Sequence, residues 1–267
     1  MAAERLDDRQ VLAISGADRV RFLQGLVTND VRKLDGGGLV YAALLTPQGK
    51  YLADFFLLAR GDAIWLDVKA DLAADLARRL ALYRLRADVT IAPAAVTVLA
   101  GFGPAPEGAL ADPRDPRMGW RLYLPEGAGY PATPIAAPDR DARRVAACVP
   151  ETGMELIPGE TFVLEAGFDR LSGVDHRKGC YVGQEVTARM KHKTELRKGL
   201  AVVRVTGLAA PGTPIEAADG RAAGTLHTVA GGRAIAYLRF DRAGRGMRAG
   251  EAVIDWDGAL PDTAASA

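Results

Sequence analysis

One segment of the 267-residue chain concentrates groups able to do chemistry: RKGCYVGQEVTAR, residues 177–189. A cysteine works as its thiolate, and nearby cations or a helix N-terminus lower the thiol pKa from about 8.5. Cys180 follows Arg177 and Lys178 and precedes a helix expected to start near Gly183. Gly179 and Gly183 flank the Cys-Tyr pair, as a tight turn or a close backbone approach requires. The plain alternative is a small buried hydrophobe between turn glycines, but the cations and the polar Gln184-Glu185 pair favour a reactive thiol. Cys148, in RVAACVP, reads instead as a packed helix end. Residues 170–198 carry eight Lys+Arg against three Asp+Glu, including Lys178, Arg189, Lys191, Lys193 and Lys198. Such a run is either a solvated basic face or a site for an acidic partner.

The elements that must position these groups are read from periodicity. QVLAIS is a strand, after which Ser15 and Asp18 are spaced as a helix capping box, with apolar residues at helical spacing up to about Asn29. LVYAALLT and KYLADFFLLAR are β-rich runs joined by a Thr-Pro-Gln-Gly turn, IWLDVK is a further strand, and residues 70–85 form an amphipathic helix. VTIAPAAVTVLAGFG gives two short strands, residues 104–138 give loops around one strand (GWRLYL), and 139–148 give a short helix. After Lys198 the texture changes to short alternating strands with glycine turns, the pattern of a small antiparallel barrel or sandwich. We therefore expect an α+β body over 1–196 and a β-barrel over 197–267.

Composition narrows the function classes. A net charge of +1 provides no global field for nucleic acid or an acidic membrane, so nucleic acid is not an expected partner. No apolar run approaches the roughly 18 residues of a membrane span. The acidic N-terminus lacks targeting features, which makes cytoplasm the expected location. Two separated cysteines and three scattered histidines, His176, His192 and His227, build neither a disulfide framework nor a zinc site, and no metal site is expected. Phosphate-loop, dinucleotide, serine-hydrolase and zinc-protease motifs are absent.

KGCYVGQEVTAR (178–189) resembles the signature of the YgfZ-type folate-binding proteins, relatives of the glycine cleavage T-protein (aminomethyltransferase) that assist iron–sulfur cluster assembly and repair. RFLQGLVTNDV (21–31), LLTPQGKYLADFFLL (44–58), LYRLRADVTI (82–91), DPRMGWRLYLP (115–125) and GRAAGTLHTVAGGRAIAYLRFD (220–241) are similar to further family blocks, so the resemblance spans nearly the whole chain. It implies a T-protein-like α+β fold, with two subdomains and a C-terminal antiparallel β-barrel around an opening for tetrahydrofolate or a one-carbon derivative.

Lys178, Gly179, Cys180, Tyr181, Gly183, Gln184, Glu185 and Arg189 carry over as the signature. On this reading Lys178 and Arg189 sustain the Cys180 thiolate, while Tyr181, Gln184 and Glu185 fix the loop. Asp54 resembles in position the acidic residue that T-proteins place beside the pterin, where a carboxylate suits paired N–H donors; as a bare sequence position it is equally a solvent-facing strand end. Asn29, Gln48 and Glu165 are weaker candidates for lining the opening. T-proteins carry Gly-Glu on the central strand where this chain has Gly119-Trp120-Arg121. Arg121 replaces an acceptor with an obligate donor, which counts against aminomethyl transfer.

The implied function is a cytoplasmic tetrahydrofolate-binding accessory factor acting through Cys180, with folate and iron–sulfur client or assembly proteins as partners. A single thiolate cannot hold a cluster, which needs about four ligands, so any cluster contact is transient or shared. The alternatives are a folate-dependent one-carbon transferase with Asp54 as its acid/base group, and a redox sensor using Cys180 alone.

Overall fold

A computed structural model describes residues 2–130, 137–193 and 196–261, without the side chains of 137, 138 and 193. A five-stranded antiparallel sheet runs in the order β3 (Val40–Leu45), β4 (Tyr51–Arg60), β5 (Ala63–Lys69), β2 (Arg9–Ser15), β6 (Thr90–Pro93). All six residues of β3 are buried, because the sheet is covered on both faces and its central strands therefore read as continuous apolar runs. One face packs under α1 (Arg19–Gln24) and α2 (Ala70–Arg84) through Ile14, Leu23, Phe55, Leu57, Leu66, Leu76 and Leu80. The opposite face carries Tyr41, Ala43, Phe56 and Leu58 toward a second sheet, β1 (Ala2–Arg5), β7 (Val96–Phe102), β9 (Trp120–Pro125), β8 (Leu110–Ala111). The short β8 lies in the stretch expected to hold a single strand.

The α+β class holds. Strands β10 (Lys198–Thr206), β13 (Arg233–Arg239), β12 (Ala222–Ala230), β11 (Pro214–Glu216), β14 (Met247–Ala249) and β15 (Ala252–Asp255) close into an antiparallel barrel. Closure removes the unpaired edges that so many short strands would otherwise expose. The barrel meets the body at α3 (Ala137–Ala147), where Glu155 accepts hydrogen bonds from Arg144 (2.7 Å) and from Thr228 of β12 (2.5 Å).

The first helix departs from expectation. Ser15 is the last residue of β2 and caps nothing; α1 begins at Arg19 and ends at Gln24, five residues before Asn29. Asp18 precedes the helix without a side-chain cap, because its carboxylate instead accepts the Asp88 backbone N–H at 2.9 Å while Asp88 accepts that of Ala17 at 3.2 Å. A long-range reciprocal pair thus takes the acidic side chain that local spacing assigned to a capping box.

Candidate functional site

Two places gather the expected residues, one between the two sheets and one at the start of α4 (Gln184–Lys193). Between the sheets, Asp54 lies in mid-β4 and is only 5% exposed, which disposes of the solvent-facing strand-end alternative. Strand alternation puts Asp54 on the same face as Phe56 and Leu58. Tyr51, three residues away, would face the other side of a regular strand. A register shift between Leu44 and Leu45, which pairs Leu45 with Tyr51 and leaves Leu52 as the extra residue, turns Tyr51 to the Asp54 face. Tyr41 donates to Asp54 at 2.9 Å, Tyr51 at 2.8 Å and Thr152 at 2.6 Å. Burial, followed by the Asp54 carboxylate, pushes both tyrosine hydroxyls well above their ordinary pKa.

Around this carboxylate the chain buries a network of arginine–aspartate pairs. Asp67, fully buried on β5, accepts from Arg9 (2.7 Å), Arg121 (3.1 Å) and Tyr123 (2.8 Å). Asp112 holds Arg114 through two hydrogen bonds of 3.0 and 2.7 Å. The guanidinium carbons of Arg121 and Arg114 lie 4.0 and 4.8 Å from the Phe56 ring centre. Burial raises the Asp112 pKa, but Arg114 overcomes it and the net shift is downward; burial likewise opposes, and Asp112 reverses, the shift of Arg114, which ends raised. Asp67 with Arg9 and Arg121, and Asp112 with Arg114, thus place opposite charges together in the buried layer. Sequence reading singled out Asp54 and Arg121 but missed Asp67, Arg9, Arg114 and Tyr123. An acid inside the apolar run IWLDVK was the available signal for Asp67, since a charge in a doubly covered strand needs a partner.

Arg121 Nε and Arg144 Nε are buried and make no well-aligned hydrogen bond, each lying instead near a carboxylate, Asp112 at 3.6 Å and Glu151 at 3.2 Å, and both residues line the Asp54 cavity. That cavity holds about 40 Å³ of free space, against the roughly 300–1,000 Å³ of ordinary ligand pockets. A lining that includes these guanidinium groups suits a ligand rich in acceptors. A pterin-sized ring, however, enters only if arginine side chains withdraw.

The remaining candidates for the opening are placed elsewhere. Asn29 donates to the backbone of Tyr41 (2.7 Å) and Ser172 (2.6 Å), tying the α1 exit to β3; it is a structural clamp because its buried amide has to satisfy those carbonyls. Gln48 is exposed on the β3–β4 turn. Glu165 lines a separate cavity of about 270 Å³ at the seam between body and barrel, where it accepts from Tyr237 at 2.7 Å.

At the second place Cys180 is exposed and Cys148 buried. Burial pushes the Cys148 thiol up to about 11. Lys178 is buried; its ammonium donates to the carbonyl oxygens of Gln24 and, at 2.8 Å, Val27, closing the end of α1. Burial pulls it down to about 8 against the opposing pull of Asp30 and Asp175, with Cys180 a weaker influence. Arg189 pairs with Glu185 at 2.9 Å on the exposed face of α4. Lys178 therefore anchors the loop, and Arg189 spends its charge on Glu185 instead of the thiol. Tyr181 is buried in the main core, and its backbone N–H is accepted by Gln184 at 3.2 Å, so these two do fix the loop.

The motif glycines have different reasons. Gly179 has φ +99° with open space around it, whereas Gly183 has φ +82° and a Cβ there would lie 2.5 Å from the Thr46 carbonyl oxygen and 3.1 Å from Gly49. The β3–β4 turn is thus pressed against the start of α4. From Gly49 to Asp54 is five residues, roughly 16 Å along a strand, so one hairpin joins the two places.

Much of the basic stretch is answered from within. Lys191 pairs with Asp169 at 2.5 Å, Lys198 lies 3.8 Å from Glu165, and Arg170 donates to the Ala147 carbonyl at 3.0 Å. An outside anion is therefore not needed to hold these charges together. Lys193 has its side chain outside the described residues.

Comparison with known proteins places this geometry. Residues 197–259 match the C-terminal β-barrel domain of CAF17. The human iron–sulfur cluster assembly factor IBA57 is 32% identical over 89% of this chain and 77% of its own length. The chain belongs to the IBA57 family. The mouse protein is 30% identical over 88% of the chain, and the Mycosarcoma maydis homologue 32% over 73%. The chain spans only 55% of that fungal relative. These relatives are named as mitochondrial proteins, so they lend the cytoplasmic expectation no support. The glycine cleavage aminomethyltransferase T of Bartonella henselae superposes with a TM-score of 0.76 over 95% of this chain and 83% of its own, at 16% identity, a likeness of fold.

Proposed function

We propose that the protein serves the assembly or repair of iron–sulfur proteins, binding a tetrahydrofolate between its sheets and acting on the client through Cys180, as in the YgfZ-type signature. The observation that carries this reading is the exposure of Cys180 on a loop anchored by the buried Lys178 and Gly183, in a chain of the IBA57 family. Among the described residues no group of three or more His, Cys, Asp or Glu could hold a metal. A cluster met at Cys180 is therefore cargo whose other ligands come from a partner.

At the folate site, Asp54 and the guanidinium groups of Arg121 and Arg144 would supply acceptor and donors, with Tyr41, Tyr51 and Thr152 orienting the carboxylate. The folate would supply a one-carbon carrier or a redox-active ring. The chain's own contribution is to exclude water and to hold charges around it. Arg121, engaged with Asp67, offers no acceptor for an amine, which disfavours aminomethyl transfer.

The test has two arms. Cys180→Ser should abolish rescue of a [4Fe–4S] enzyme in cells lacking their own factor while leaving thermal stability unchanged; full rescue would remove Cys180 from the function. Tetrahydrofolate should bind the wild type and bind Asp54→Asn at least tenfold more weakly. Equal binding would refute the site, and turnover of added one-carbon donors to methylene-tetrahydrofolate would favour the transferase.

A further inference from the structure

A cavity of about 460 Å³ lies away from both places, between the barrel and the segment that leaves it after β15. Arg204 of β10, Arg233 of β13 and Arg245 of the β13–β14 loop converge on it, with Arg117 on the body side. Arg204 and Arg233 are direct cross-strand neighbours, a like-charge pairing that costs a sheet stability, while on its other side Arg204 is opposite Asp255. Elsewhere on the barrel Arg221, Arg239 and Arg242 each lie within 4 Å of an aspartate, at 2.7, 3.7 and 3.7 Å. Among the described residues Arg204, Arg233 and Arg245 have neither an ion pair nor a side-chain hydrogen bond. The two acids at the cleft form no ion pair with them, although Asp255 is the cross-strand neighbour of Arg204. Asp255 accepts the Gly246 backbone N–H at 2.8 Å and Asp257 that of Ala259 at 3.0 Å. Arg117 is already held by Asp115 at 2.6 Å and by the Ala146 carbonyl at 2.7 Å.

The rest of the wall is apolar. Val202, Leu260 and Pro261 line it beside Trp256, whose ring stacks on Phe240 with centres 5.3 Å apart and whose indole N–H is used by the Ala259 carbonyl. A cleft of this size with cations at one side and an aromatic–aliphatic wall at the other fits more than a bare ion. Guanidinium forks recognise phosphate and carboxylate alike.

We propose that this barrel cleft binds a small polyanion carrying an aromatic or apolar body, its phosphate or carboxylate groups bridging Arg204, Arg233 and Arg245. The site is independent of Cys180 and of the Asp54 cavity, so it stands or falls apart from the function proposed above.

Titration calorimetry on the full chain tests it with four probes: ADP, pyrophosphate, citrate and uncharged adenosine. ADP should bind with a Kd below about 1 mM, more tightly than pyrophosphate, and adenosine should not bind measurably. Citrate exceeding ADP would assign the site to polycarboxylates instead of phosphates, within the same chemistry. The Arg204→Gln/Arg233→Gln variant should lose at least tenfold in affinity while its Tm is unchanged or raised, because the like-charge pair is gone. Arg245→Gln, outside the barrel strands, should weaken binding by itself and guards against a folding defect in the double variant. Absence of binding by all three anions, or equal affinity of wild type and both variants, overturns the proposal.

Discussion

Replacing Gly183 by alanine separates two contributions that the signature motif superimposes. Gly179 and Gly183 both have positive φ, +99° and +82°, so alanine at either position incurs the left-handed penalty of about 1–2 kcal/mol. At Gly179 a Cβ meets nothing within 4 Å, and the cost ends there. At Gly183 the Cβ would sit 2.5 Å from the Thr46 carbonyl oxygen and 3.0 Å from Leu45 Cβ, so the hairpin turn or the start of α4 has to move. Overpacking of this kind adds about 1–3 kcal/mol. Gly183→Ala should therefore cost about 2–5 kcal/mol in all, and about 1–3 kcal/mol more than Gly179→Ala. Each kcal/mol corresponds to about 2–4 °C of Tm in a chain of this size. Thermal unfolding of the two variants beside wild type, with the labelling rate of Cys180 as a local probe, measures the difference. Equal Tm losses with unchanged labelling would mean that the turn yields without cost and that Gly183 does not anchor the loop.

Further consequences concern charge and thiol chemistry. A thiol reagent at neutral pH should modify Cys180 in the native protein and reach Cys148, whose thiol is buried and pushed up to about 11, only on unfolding; mass spectrometry of partly labelled protein decides, and early modification of Cys148 contradicts the packing. Asp67→Asn, which leaves Arg9 and Arg121 short of their shared carboxylate, should cost about 3–5 kcal/mol in urea unfolding, and a loss under 1 kcal/mol would show the cluster to be dispensable. Glu151 is held down to about 2 because Arg144, Arg140 and Lys69 outweigh its burial. Its stabilisation, roughly 3 kcal/mol at most, is fully present above its ordinary pKa of 4.5 and is lost as pH falls through about 2. Glu151→Gln should flatten the stability profile over that interval, and a variant with the wild-type acid limb would refute the assignment.

Local pattern was enough for the elements with one clear period. The β3–β4 hairpin, β5, α2 and the barrel strands were legible because apolar alternation and turn residues lie next to one another in the chain, and burial rewards the same residues that local geometry favours. Cys148 was legible as the packed member of the cysteine pair for a similar reason, since it ends an apolar helical run. Local reasoning failed at Ser15 and Asp18, where the capping pattern was present but Asp88, seventy residues away, takes the Asp18 carboxylate.

Tertiary structure alone decided what the charges do. The sequence presents Lys178 and Lys191 as part of a basic run beside a thiol, yet folding sends the first into the carbonyls at the end of α1 and the second to Asp169. It likewise scatters Arg9, Asp54, Asp67, Asp112, Arg114 and Arg121 across a hundred residues, with no spacing that announces a cluster. A charge interacts with whatever lies within a few ångströms, and in a buried setting its partner is fixed by sheet register and by the one-residue bulge that turns Tyr51 toward Asp54. Hydrophobic periodicity is a property of neighbours along the chain, so the sequence carries it openly; ion pairing is a property of neighbours in space, and only the folded sheets bring those together.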